Sequence, residues 1–358
     1  MTDDQFASED TDPPTPRRRA RNAQAAERAT AQRLIRRSTL EPGEARDKLY
    51  EQHPVTKNEV AVATPPLKEA YDIIQDVVVH RDPGTCLLGE FRVGKTTTIA
   101  CTIRQLSHTF PKLPVGLALA KGHDTFTQGT FFSDLLQDFN HGGALRGTAL
   151  EKRTRCLNML LGQARQLSSD RYLLLVDEGQ NWGEAQWTWL RDLANDLANK
   201  QVRLITVIFG QNADLTKLRL LLISRSRMDL VGRFLLNPRE FRGLRDVGEL
   251  EETLEAYDDP GQSSFPIGSD ISYSEFFMPQ AYKGGWRLSQ EAECMWDEFR
   301  KVAQRSGKLA GNIGMNWIGG ALRNFLFAQS LNDAPGYAGT PDNWAMAVLA
   351  SGYEATLF

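Results

Sequence analysis

Long apolar runs are missing from this 358-residue chain: no stretch reaches the roughly 18 consecutive apolar residues of a membrane span, and no apolar signal core opens the sequence. Cysteine is also scarce. Cys86, Cys101, Cys156 and Cys294 form neither a CxxC pair nor a disulfide framework, which points to reduced, buried thiols in a cytoplasmic protein with no membrane partner. Nor is there an excess of charge of either sign. A formal net charge of −3 excludes a generally basic nucleic-acid binder, so any polyanion must be met by a local patch or by several copies together.

What is present suffices for folding. Apolar residues make up 41% of the chain, enough for one α/β core and a smaller second unit.

Gly89-Glu90-Phe91-Arg92-Val93-Gly94-Lys95-Thr96 is a complete G-x-x-x-x-G-K-[ST] phosphate-binding loop. The apolar Thr85–Leu88 before it predicts a buried parallel strand, and helical spacing follows from Thr97 to Leu106. Such a loop gathers backbone N–H groups and a helix N-terminus around anionic oxygens. Lys95 is expected to bridge the β- and γ-phosphates of ATP, and the Thr96 hydroxyl to face Mg2+; Thr97 lies just inside the helix.

Tyr172–Val176 is an apolar run closed by Asp177 and Glu178, as a central strand reads when its C-terminal end opens on a site. Asp177 is the expected metal carboxylate, acting through water. Glu178 is the expected group that polarises the attacking water. A further strand, Leu204–Phe209, ends in Gly210-Gln211-Asn212, where Gln211, with Asn212 in reserve, is placed to sense the γ-phosphate. Between Leu218 and Phe234 a helix-like stretch carries Arg219, Arg225, Arg227 and Arg233 ahead of a short strand at Phe234–Leu236.

These features resemble AAA+ ATPases of the transposition-regulator group, MuB, TnsC and TniB. The likeness rests on the Gly89 loop, the Asp-Glu-x-Gln ending at Gln180, the Gly210-Gln211 turn followed by Leu215 and Leu218, and the run Leu190–Asn195. It spans roughly residues 50 to 330. The resemblance implies a P-loop AAA+ three-layer sandwich with a parallel central sheet and a smaller helical lid. It further implies an ATP-dependent assembly, ring or helical filament, on duplex DNA that directs a transposase and works with a targeting factor. Arg233 becomes the leading arginine finger for a neighbour's nucleotide, with Arg225 and Arg227 behind it. Lys121, Thr125 and Thr127, in the loop after a strand at Val115–Ala120, become the contacts to DNA phosphates, although a polar loop capping the next helix reads equally well. The secretion ATPase ExeA shares two of the motifs, leaving an assembly ATPase acting on protein as one alternative. A replication-initiator or loader ATPase is another, and a non-hydrolysing nucleotide switch a third.

The domain reading is an Arg-rich tail at 1–40, a nucleotide-binding core at 41–240, a helical lid at 241–330 and a partner-binding tail at 331–358 that could equally fold back on the lid. Between Pro16 and Ser38 stand eight arginines against the single Glu27, a local balance of +7. Few apolar residues there can pin a helix, so disorder is expected, either as a DNA-tracking arm or as a docking segment. A basic set at Arg146, Lys152, Arg153 and Arg155 offers a second contact strip or a wetted helix face. His53 is expected to be exposed or to frame the base. Neither Arg287 nor Arg323 sits in a motif that marks the lid's sensor arginine.

Overall fold

The computed structural model describes residues 30, 32–123, 125–309 and 311–357. Most of the Arg-rich tail therefore lies outside the described residues. Five parallel strands form one sheet in the order β2-β3-β4-β1-β5: β1 Gly84–Gly89, β2 Val115–Leu119, β3 Arg171–Asp177, β4 Arg203–Gln211 and β5 Pro238–Glu240. All the central strands end at the same edge, because β1 pairs with β4 from Gly84↔Thr206 to Gly89↔Gln211 and β3 pairs with β4 up to Val176↔Ile208. The loop after β1 and the carboxylates after β3 are thereby brought side by side.

Alternation along the strands builds a core on each face. Leu87, Leu173, Leu175, Val207 and Phe209 face one way, onto the helices Pro65–His80 and Lys95–Thr109. Cys86, Leu174, Val176 and Ile208 face the other, onto Gln128–Asp138, Ala149–Gln166 and Glu184–Ala198. Both faces are covered, which is why these strands read as continuous apolar runs.

The helix-like stretch from Leu218 is broken. Asn212–Ser224 stops at a left-handed Ser226 (φ 58°), Met228–Phe234 continues as a separate helix, and the short strand falls at Pro238–Glu240 rather than Phe234–Leu236. Phe234 is consumed in the core, 1% exposed, and packs on Trp187.

A third cluster forms the lid. Val247–Asp258, Ala292–Arg305 and Met315–Gln329 meet around Phe299, Ile318, Leu322 and Phe325. The expected partner-binding tail belongs to it. Pro341–Ser351 starts on Pro341 behind a Thr340/Asn343 capping box and sinks Trp344 against Phe325, ring centroids 3.8 Å apart and planes 6° apart. The Trp344 indole donates to Glu291, which also accepts from the Trp286 indole and the Gly339 amide. A short helix with Trp344, Ala347 and Val348 on one side gains more from a ready apolar surface than from solvent, and the lid supplies one.

The lead-in segment also sides with the lid: Tyr50, Val55, Val60 and Val62 pack into that cluster. His53 is fully buried, against the expectation of exposure. Its Nδ1 accepts from the Val55 amide, and its ring stacks on Phe276 among Phe265, Tyr273 and Phe277. Burial pushes its pKa down to about 3. Residues 32–40, assigned to the disordered tail, are helical, and Arg36 pairs with Glu275 of the lid. Core and lid are joined by Arg242, 3% exposed, whose guanidinium spans Glu69 on Pro65–His80 and Glu249 on Val247–Asp258.

Candidate nucleotide site

The phosphate-binding loop is held by close packing that only glycine allows. A Cβ on Gly89 would lie 2.6 Å from the Phe241 carbonyl oxygen, and Gly94 caps the following helix at φ 108°. The chain also passes through the left-handed region at Arg92 (φ 62°). Lys95 is 7% exposed and donates to the carbonyls of Gly89 (3.1 Å) and Glu90 (2.8 Å). Burial lowers its pKa against the pull of Glu178, Asp177 and Glu90. A desolvated ammonium with only carbonyl partners is well prepared for phosphate oxygens.

Thr96 Oγ1 donates to Asp177 Oδ2 at 2.9 Å, and Asp177 Oδ1 accepts from the Glu178 amide at 2.9 Å. A hydroxyl and a carboxylate meeting at a helix N-terminus supply the hard oxygen donors that Mg2+ takes alongside phosphate and water. This donor set fits the metal, and the loop's glycine-lined concavity fits a triphosphate.

Glu178 is itself left-handed (φ 56°), a conformation that turns its carboxylate away from the strand line toward the cleft. The cleft has a volume of about 330 Å³. The loop and Glu178 wall one side; Val60, Val62 and Leu67 of the lead-in and Tyr257, Met315 and Arg323 of the lid wall the other. The lid's contribution is Arg323, on the same helix as Met315 and Asn316. Arg287 instead stacks on Tyr282, 3.6 Å from the ring centroid, and donates to the carbonyls of Tyr282 and Trp286. The choice between these two arginines was invisible in sequence, because it depends on which face of Met315–Gln329 meets the loop. Loop and lid touch directly: the Asn316 amide donates to the Arg92 carbonyl at 3.3 Å, and the Arg92 guanidinium lies over Trp317.

Lys95, Thr96, Thr97, Asp177 and Glu178 thus converge, and other expected residues do not join them. Gln211 stands at the end of β4, where its amide donates to the Gln180 side chain at 3.0 Å; it does not line the cleft. Arg233 sits beside Gly84, at the opposite end of β1 from the loop. Its Nη2 donates to Asn195 Oδ1 at 2.9 Å, and burial with neighbouring Arg191 and Arg203 lowers its pKa. A strand of six residues, roughly 20 Å, separates it from its own cleft. Arg225 and Arg227 are both paired with Glu184.

The expected DNA loop is largely committed to its own helix. Lys121 pairs with Asp138 (3.1 Å) and Asp134 (3.7 Å), and Thr127 caps Gln128–Asp138; Thr125 alone of the three is exposed without such a role. In the second basic set Lys152 donates to Ser133, Arg153 pairs with Asp196, and Arg155 donates to the carbonyls of Gly143 and Arg146.

Comparison with known proteins follows the same outline. Residues 79–218 match the family described as AAA domain. The Aeropyrum pernix ORC2 protein in its ADP form aligns over 80% of this chain and 68% of its own, with a TM-score of 0.51 at 14% identity. Domain III of the Thermotoga maritima replication initiation protein DnaA aligns over 82% of this chain and 95% of its own, with a TM-score of 0.42 at 15% identity. No curated protein matches the sequence. At 14% identity the likeness to ORC2 speaks for the fold alone. None of the described helices is long and apolar enough to cross a membrane. The family match spans the phosphate-binding loop, both carboxylates and β4, so the AAA-type domain it describes falls on residues 79–218 of the five-stranded parallel sheet.

Proposed function

We propose that this protein is a Mg2+-dependent ATPase whose nucleotide state controls assembly of several copies on duplex DNA. The observation that carries the reading is the convergence of Lys95, the Thr96–Asp177 pair, Glu178 and the lid's Arg323 on one cleft. Lys95 and the loop amides would hold the phosphates, and Thr96 and Asp177 would hold the metal, which supplies charge neutralisation between phosphate oxygens. Glu178 accepts a proton from water. Arg323 reports the occupant to the lid. Arg233, remote from its own cleft and with no carboxylate partner among the described residues, suits a neighbour's phosphate.

For the wider role, a replication-initiator or loader ATPase agrees better with the comparisons than does target selection in transposition. The transposase and targeting factor implied by the motifs find no support among them. The arginine-rich stretch before Ser38 favours DNA as the partner.

The test is sedimentation of the purified chain on duplex DNA with ATP or ADP, beside measured phosphate release. ATP-dependent co-sedimentation, with release abolished and ATP binding kept in Glu178→Gln, is the expected result. A chain that takes up no ATP with magnesium at millimolar concentration refutes the proposal.

A further inference from the structure

We infer that Gln180 is a positioning residue that fixes the Glu178 carboxylate, an inference that rests on the reading of Glu178 as the acceptor of the water proton. Its carboxamide is used at both ends. Nε2 donates to Glu178 Oε2, while Oε1 accepts from the backbone amide of Gln211 at 3.0 Å. One side chain thereby ties the end of β3 to the end of β4. With Oε2 engaged by the amide, Oε1 is left as the carboxylate's second acceptor, on a residue that lines the cleft.

The surrounding backbone is shaped to keep this bridge. A Cβ on Gly210 would stand 2.7 Å from Gln180 Oε1 and 2.3 Å from Leu215, so only glycine admits both the carboxamide and the helix behind it. A Cβ on Gly179 would stand 2.3 Å from Ile208 Cγ2, which lets the chain turn flat against β4 directly after Glu178. On the other side, Asn181 Nδ2 donates to the Ala120 carbonyl at 2.8 Å, anchoring the same turn to the end of β2. Residues 178–181 are therefore pinned to both neighbouring strands. The carboxylate cannot rotate without breaking the link to β4. Any movement of Gln211 that follows a change at the end of β4 is transmitted to Glu178 through a single carboxamide.

Gln180 does not line the cleft, so its loss should leave nucleotide affinity intact and act on turnover. Gln180→Met keeps length and bulk and removes both hydrogen bonds. The expected result is a fall in kcat on the order of 10- to 100-fold, with ATP affinity by fluorescent-nucleotide titration and the melting temperature close to wild type.

A kcat within twofold of wild type in Gln180→Met overturns the inference, as does a weakening of ATP binding that accounts for the whole loss. Undiminished turnover in Glu178→Gln has a different meaning, since it refutes the role of Glu178 itself.

Discussion

Replacing Trp344 by alanine tests whether the last helix is part of the lid or an appendage to it. The side chain is 0% exposed, lies flat on Phe325 at 3.8 Å, and donates its indole N–H to Glu291 at 3.0 Å. Removing a buried tryptophan costs about 3 to 5 kcal/mol through lost transfer energy and the cavity left behind. Glu291 keeps the Trp286 indole and the Gly339 amide, so the orphaned carboxylate oxygen adds only about 1 kcal/mol. A loss on the order of 4 kcal/mol should appear in urea denaturation followed by tryptophan fluorescence. It should be accompanied by weaker nucleotide binding, because the neighbouring helix Met315–Gln329 brings Arg323 and Met315 to the cleft. Met346 on the same helix is 68% exposed and serves as the control: its alanine variant should stay within about 0.5 kcal/mol of wild type. A loss below about 1 kcal/mol for Trp344→Ala would refute the packing argument and restore a detachable tail.

Burial of His53, with its pKa moved from 6.5 to about 3, makes the lid sensitive to acid. Above pH 6.5 the ring is neutral in both states and its stabilisation is complete; as pH falls the unfolded chain takes the proton first, so stability declines between 6.5 and 3. By pH 5 the share from His53 is a loss of about 2 kcal/mol, seen as the difference in urea midpoints between wild type and His53→Asn at pH 7 and pH 5. Arg242 is held charged by Glu249 and Glu69 although burial opposes it, and Arg242→Ala should cost about 3 to 5 kcal/mol in the same assay by leaving two carboxylates without their cation. Arg323→Ala should leave ADP affinity nearly unchanged and weaken ATP, measured by nucleotide titration; equal effects on both would remove Arg323 from the γ-phosphate.

The nucleotide chemistry was legible in the chain because each part is local. A phosphate loop needs glycines, lysine and threonine at fixed spacing, and a strand that ends in Asp177-Glu178 announces itself by an apolar run that stops at charge. Continuous apolar runs likewise marked the strands, since both faces of the sheet are buried. What the sequence could not decide was anything settled by competition between distant groups. Lys121 reads as a free cation until Asp134 and Asp138 arrive from the next helix. His53 reads as exposed until four aromatic rings close around it. Gln180 reads as the end of a motif, with no role of its own, until β4 presents the amide of Gln211 to it, and Arg323 gains its place from the orientation of one lid helix. Local spacing specifies a chemical group; tertiary packing determines which neighbours desolvate it, neutralise it or hold it in place.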